Sequence, residues 1–231
     1  MTELRIKNEA EINGGFRHPA YICFSFGKPL FHTRNVIDLY FSFMKEKYSK
    51  LYVILPDTPR EKNILVVDGL CESELETKIS NERKNYLNLY QRAARRVGVS
   101  IELLCFSELL GEEHYLHNKR VLEGLFEKDE TFRQDVLGYT RQYLFLPSVQ
   151  KKLSRRNLVG LDIEASLVAN PLMELAMVSG IGTLFGCDIL SEVYPENLVI
   201  QKKLQSGFYD GDDDLKRTKE HYFVEAFPKE D

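Results

Sequence analysis

The chain has 231 residues, enough for one large domain, and its 43% apolar and 29% charged content is that of a soluble globular protein rather than a disordered one. A net charge of −4 argues against a uniformly basic nucleic-acid binder but leaves room for a local basic face. Apolar runs stay under about ten residues, too short to span a bilayer, and Met1-Thr2-Glu3-Leu4-Arg5 lacks the apolar core of a secretory signal.

Residues 1–19 are polar and contain Asn13-Gly14-Gly15, so a loosely held leader is expected. An apolar run over 20–24 follows, the pattern of a strand buried on both faces, and it enters Ser25-Phe26-Gly27-Lys28-Pro29. Val36, Leu39, Tyr40 and Phe43 recur at i, i+3, i+4, i+7 and predict a helix over 33–49. Leu51-Tyr52-Val53-Ile54-Leu55, ended by Pro56-Asp57, completes a strand–helix–strand unit, expected to be parallel and right-handed. Glu72–Val97 reads as one long helix or two short ones, stopped by Gly98, before a strand over Val99–Phe106. Residues 107–180 are largely helical in pattern, interrupted at Pro147, and Ile189–Pro195 reads as a late strand. Beyond Gly207 an acidic run, Asp210 and Asp212-Asp213-Asp214, predicts a solvated tail over 207–231. Without repeats or linkers, residues 1–231 are expected to form a single α/β domain around a parallel sheet flanked by helices. Cys23, Cys71, Cys105 and Cys187 form no CxxC pair and read as reduced, buried thiols of a cytoplasmic protein.

Several residues could carry chemistry. Ser25 stands where a buried strand ends, the edge at which open α/β sheets bind ligands. There it could act as a nucleophile, a hydrogen-bond donor or a turn residue. The upstream Gly of G-x-S-x-G is missing, which sets Phe24-Ser25-Phe26-Gly27 apart from the hydrolase elbow. Gly27-Lys28 lacks the rest of a phosphate loop, and no G-x-G-x-x-G supports a dinucleotide. Lys84, Arg92, Arg95 and Arg96 share one helix face, either a solvated face or a track for a phosphate backbone. Lys151, Lys152, Arg155 and Arg156 make a second basic patch. Glu174 sits in the apolar run Asn170–Met177, where a carboxylate is either on the exposed side of a helix or paired, hydrogen-bonded or shifted in pKa. Tyr194 precedes Pro195 at a strand end, as a packed aromatic or a presented phenol. His114 and His117 lack the spacing of a zincin pair, so no metal is expected.

Together these pieces resemble the cyclodipeptide synthases over roughly residues 20–205. Ser25 with Gly27 looks like the family's Ser-x-Gly signature after an apolar strand. Glu174 and Tyr194, 20 residues apart, are similar in spacing to its active-site Glu and later Tyr. Tyr194-Pro195 with Lys28 resembles the Tyr-Pro subfamily, and Leu55-Pro56-Asp57 its strand end near an aminoacyl pocket. In the second signature, Tyr-x-x-x-Glu-x-Pro, Asn170 stands in the Tyr position and Ala176 in the Pro position.

The resemblance implies a Rossmann-like domain akin to class I aminoacyl-tRNA synthetases and ping-pong acyl transfer from two aminoacyl-tRNAs through an aminoacyl-Ser25. Catalytic roles fall to Ser25, Glu174, Tyr194 and Asn170, and substrate contacts to Gly27, Lys28, Asp57 and Pro195. tRNA contacts fall to Lys84, Arg92, Arg95 and Arg96. It implies no cofactor, because the tRNA ester already carries the activation, and a monomer without metal or membrane. A tRNA-binding module without catalysis is the alternative. A serine hydrolase, with His32 nearest to Ser25, is a further one.

Overall fold

In the computed structural model, which describes residues 3–7, 18–24, 32–156, 162–194, 199–218 and 220–228, the first element is a short strand, β1 (Leu4–Lys7). The next apolar run forms β2 (Ala20–Cys23), in which Ala20, Tyr21 and Ile22 are fully buried. α1 (Arg34–Lys47) buries Val36, Ile37, Tyr40, Phe41 and Met44, and places Lys45 and Lys47 at the negative end of its dipole. β3 (Leu51–Leu55) is buried throughout and leads into α2 (Asp57–Asn63) and a π-helical turn, Ile64–Asp68.

α3 (Glu72–Val97) is one continuous helix, with Glu72 and Glu74 in its first turn and Arg95 and Arg96 in its last. Gly98 ends it at φ 70°, a left-handed conformation open to glycine at little steric cost. Next come β4 (Ile101–Cys105), α4 (Phe106–Leu109), α5 (Glu113–Lys128), α6 (Glu130–Leu144) and α7 (Pro147–Leu153), with Pro147 in the first turn of α7. The described elements close with α8 (Ile163–Leu184), β5 (Ile189–Tyr194), α9 (Val199–Gln205) and β6 (Glu220–Pro228).

The six strands form one sheet in the order β1-β6-β5-β2-β3-β4. β6, β5, β2, β3 and β4 run parallel, and β1 is antiparallel to β6. From β2 the chain steps outward to β3 and β4, then returns to the other side of β2 to lay down β5 and β6. Such a reversal opens a crevice at the carboxyl ends of β2 and β5.

The sheet is covered on both faces, so its strands read as apolar runs without alternation. Ile22, Phe24, Val53, Val193 and Val224 pack with α1 and α3. Tyr21, Tyr52, Ile54 and Leu190 pack on the opposite face with α5, α6 and α8. α8 is long and apolar enough to cross a membrane by length and composition, but 78% of its most apolar stretch is buried as the core helix of this layer. A Cβ on Gly182 would lie 2.7 Å from the Cys187 carbonyl and 2.4 Å from the Thr218 side chain, so only glycine admits that approach.

Three expectations are corrected. The expected leader supplies β1 at the sheet edge, where Leu4–Lys7 pair with residues 225–228. The expected solvated tail supplies β6, and its acidic run is partly interior: Asp212 is 1% exposed and pairs with Arg217 at 2.5 Å. Both errors have one cause, since the two segments pair with each other and neither local sequence shows its partner. All four cysteines are free, but of the four expected to be buried Cys105 alone is: Cys23 and Cys187 are half-buried and Cys71 is exposed at the start of α3.

Candidate active site

Ser25, Gly27, Lys28 and Pro195 lie outside the described residues, as does the side chain of Tyr194, whose backbone ends β5. The described part of the crevice is built by the strands leading to them. β2 and β5 are adjacent, with Ala20 opposite Ser191 and Tyr21 opposite Glu192. Three carboxylates act electrostatically on Cys23, the last residue of β2. Its thiol is pushed well up by burial and then by the negative charges of Glu174, Glu192 and Asp57. A thiol held protonated in this way is a poor nucleophile.

Asp57 is fully buried. Its Oδ1 accepts from the Thr58 and Ser107 amides at 3.0 and 2.9 Å. Its Oδ2 accepts from the Ser107 hydroxyl at 2.6 Å and from Arg83. All four acceptor positions are therefore taken within the fold, and Asp57 ties α3 and α4 to the end of β3. Arg83→Met, which leaves that carboxylate buried without its cation, should lower stability by about 3 kcal/mol. A fall in the urea midpoint at unchanged slope would show it.

Glu174 lies in the middle of α8, one turn beyond Asn170 and on the same face. It makes no hydrogen bond or ion pair among the described residues. Burial, then the charge of Glu192, raises its carboxyl to about 7. Asn170 is 7% exposed. Its Nδ2 donates to Asn63 Oδ1 at 2.9 Å and to the Pro59 carbonyl at 3.4 Å, while its Oδ1 has no partner. A carboxylate and an orphaned carbonyl oxygen thus stand one helical turn apart without a donor, an arrangement suited to a substrate ammonium.

Glu192 was not among the candidates read from sequence. It is 5% exposed and accepts a 2.5 Å hydrogen bond from the Tyr21 phenol. Burial raises it to about 7, against the opposing effects of Tyr21 and Lys202. Burial also drives the Tyr21 phenol well up and His221 down to about 4, so both are neutral near pH 7. The available signal was a Glu inside Ile189–Tyr194, because a strand covered on both faces must hold any carboxylate indoors.

On α3, Lys84, Arg92, Arg95 and Arg96 are exposed on one face. Among the described residues Arg92 and Arg95 bond only carbonyls of their own helix, at 3.1 and 3.4 Å, while Arg96 forks onto Asp38 of α1 at 2.6 and 3.1 Å. In the second basic patch Lys152, though exposed, is paired with Asp68 and Arg156 donates to the Val66 carbonyl, leaving Lys151 and Arg155 exposed and without an ion pair among the described residues. His32 is engaged by the Tyr90 hydroxyl at 3.0 Å and lies against Tyr86, which does not favour it as a catalytic base. Among the described residues no cluster of three or more His, Cys, Asp or Glu is arranged to hold a metal.

No protein-family model matches the sequence, and no curated protein matches it. Solved structures do. A cyclodipeptide synthase from Bacillus thermoamylovorans matches 98% of this chain and 97% of its own, with a TM-score of 0.78 at 18% identity. The Mycobacterium tuberculosis protein whose structure relates cyclodipeptide synthetases to type I tRNA synthetases matches 99% and 94%, with a TM-score of 0.74 at 13% identity. The chain has the cyclodipeptide synthase fold.

A third cyclodipeptide synthase, from Candidatus Glomeribacter gigasporarum and bound to Phe-tRNAPhe, covers 98% of this chain and 95% of its own, with a TM-score of 0.70 at 12% identity. These matches cover nearly the whole of this chain.

Proposed function

We propose that the protein is a tRNA-dependent cyclodipeptide synthase of the Tyr-Pro type, joining two aminoacyl groups from charged tRNAs as a 2,5-diketopiperazine. The observation that carries this is Glu174, a partly buried carboxylate without a cation among the described residues, in a chain that shares the cyclodipeptide synthase fold over 98% of its length.

The Ser25 hydroxyl attacks the ester carbonyl of the first aminoacyl-tRNA. The tRNA hydroxyl leaves with the proton, and the aminoacyl group remains on Ser25 as an ester. Glu174 and the free Oδ1 of Asn170 hold the substrate ammonium during this step. Amides around Gly27 receive the developing oxyanion, and Lys28 and Pro195 border the acyl group. Asp57, engaged by Arg83 and Ser107, acts by holding the strand ends. The free amine of aminoacyl-Ser25 then attacks the ester carbonyl of the second aminoacyl-tRNA, whose tRNA hydroxyl leaves with a proton, giving a dipeptidyl ester on Ser25. Its free amine closes on the remaining ester carbonyl, with Tyr194 passing the proton. tRNA lies along α3 against Lys84, Arg92, Arg95 and Arg96. The enzyme works as a cytoplasmic monomer and takes its activation from the tRNA ester, without a cofactor.

Expression in a bacterium and mass spectrometry of the medium tests this directly. A diketopiperazine absent from cells carrying the empty vector is expected, and a medium without one counts against the proposal. Asn170 in the Tyr position favours a second reading, a tRNA-binding module without catalysis. Both readings expect Arg92→Ala with Arg95→Ala to flatten the dependence of log K on log salt by about 2, so product formation alone separates them.

A further inference from the structure

Glu192 has no part in the chemistry above, yet it is the more deeply buried carboxylate of the pair. Its Oε2 accepts from Tyr21, and no described residue hydrogen-bonds its Oε1. The groups around it are Tyr21 and Cys23 on β2, Glu174 on α8, His221 on β6 and Lys202 on α9. His221 Nε2 lies 3.7 Å away on a side chain 1% exposed, and burial keeps it neutral. The Lys202 ammonium is bonded to Glu225 at 2.9 Å and reaches Glu192 only through space. Glu192, buried, and Glu174, partly buried, are therefore two carboxylates with no cation in contact among the described residues.

Two further atoms point the same way. Asn170 Oδ1, on a residue 7% exposed, is unpartnered one turn from Glu174. His221 Nδ1 is buried and also unpartnered. A site with this surplus of acceptors is completed by more than one donor group. The α-ammonium of an aminoacyl group supplies one positive charge, which Glu174 and Asn170 share. The second carboxylate remains unmatched when the side chain is aliphatic or aromatic.

We propose that Glu192 is a specificity-determining residue that selects, for the acyl group loaded on Ser25, an amino acid with a positively charged side chain. This rests on the function proposed above. Tyr21 fixes the Glu192 carboxylate from one side and leaves Oε1 to the incoming cation. Sites built around a buried hydrogen-bonding group discriminate strongly against substrates that lack the partner, because the group is then left unsatisfied.

The test is acylation of Ser25, followed by intact mass and peptide mapping, with lysyl-, arginyl-, leucyl- and phenylalanyl-tRNA supplied singly to the full-length protein. Lysyl- or arginyl-tRNA should acylate the wild type about 100-fold faster than the other two. Glu192→Leu should reverse that order. Glu192→Gln, which retains an acceptor for the Tyr21 hydroxyl, should remove the advantage of the cations while preserving the fold. Faster acylation of the wild type by leucyl- or phenylalanyl-tRNA overturns the proposal, as does an unchanged order in both variants. No adduct with any charged tRNA in a complete set overturns the catalytic function itself, a result distinct from an adduct carrying an uncharged side chain.

Discussion

Ser25→Ala is expected to leave the intact mass unchanged after incubation with charged tRNA, where the wild type gains one aminoacyl group. The rate of diketopiperazine formation should fall on the order of 10⁴-fold or more, because removing the nucleophile removes the covalent route rather than one contact along it. The nearest alternative nucleophile is Cys23, the last residue of β2. Its thiol is half-buried and feels the charges of Glu174, Glu192 and Asp57, all of which oppose a thiolate. The variant should therefore be silent rather than rerouted. An adduct that persists in Ser25→Ala, on Cys23 or elsewhere, overturns the assignment of the nucleophile. Ser25→Cys tests the same point from the other side: a thioester 16 mass units heavier than the wild-type adduct, about the difference between sulfur and oxygen, would place the acyl group on that position.

The central layers were legible because their signals are local. Ala20–Cys23 and Leu51–Leu55 are continuous apolar runs, and the stripe of α1 between them has helical spacing. The reading of Glu72–Val97 stayed open between one helix and two, and the structure resolves it as one, ended by Gly98. The sheet edges were illegible because β1 and β6 find each other across nearly the whole chain. The site divides in the same way. Glu174 stood out as a carboxylate in an apolar helix, which is a feature of one segment. Glu192 depends on Tyr21, a partner 171 residues away, and on burial from both sheet faces. The orphaned Oδ1 of Asn170 likewise required knowing that Asn63 and Pro59 occupy its amide nitrogen. The basic stripe was visible by spacing, but its division between Arg96, bound to Asp38, and its more open neighbours appears only once α1 packs on α3.

Glu174→Gln is expected to lower kcat/KM for aminoacyl-tRNA by about 3 kcal/mol, on the order of 10²-fold, because it removes the carboxylate from a partly buried ion pair with the substrate. Its pH dependence carries more information than its size. Capture of an ammonium requires ionised Glu174, whose carboxyl is raised to about 7. The wild-type kcat/KM should therefore rise with pH through about 7, as a titration of the Glu174–Glu192 pair rather than of either residue alone. The other groups facing the pair do not titrate there: Tyr21 and Cys23 are pushed up, and His221 is pushed down to about 4. Glu192→Gln removes the negative charge that lifts Glu174, so its acidic limb should move to lower pH. A limb that stays in place would show that Glu192 does not act on Glu174. Stability supplies a check that needs no substrate. Both carboxyls are raised from 4.5 to about 7, so the native state binds protons more tightly than the unfolded chain between those values. Their contribution to stability falls as pH rises across that window. Replacing Glu174 by Gln abolishes its share, so the variant should lose less stability than the wild type between about pH 4.5 and 7. An equal loss in both proteins would place Glu174 in water, and with it would go the reason to assign it the substrate ammonium.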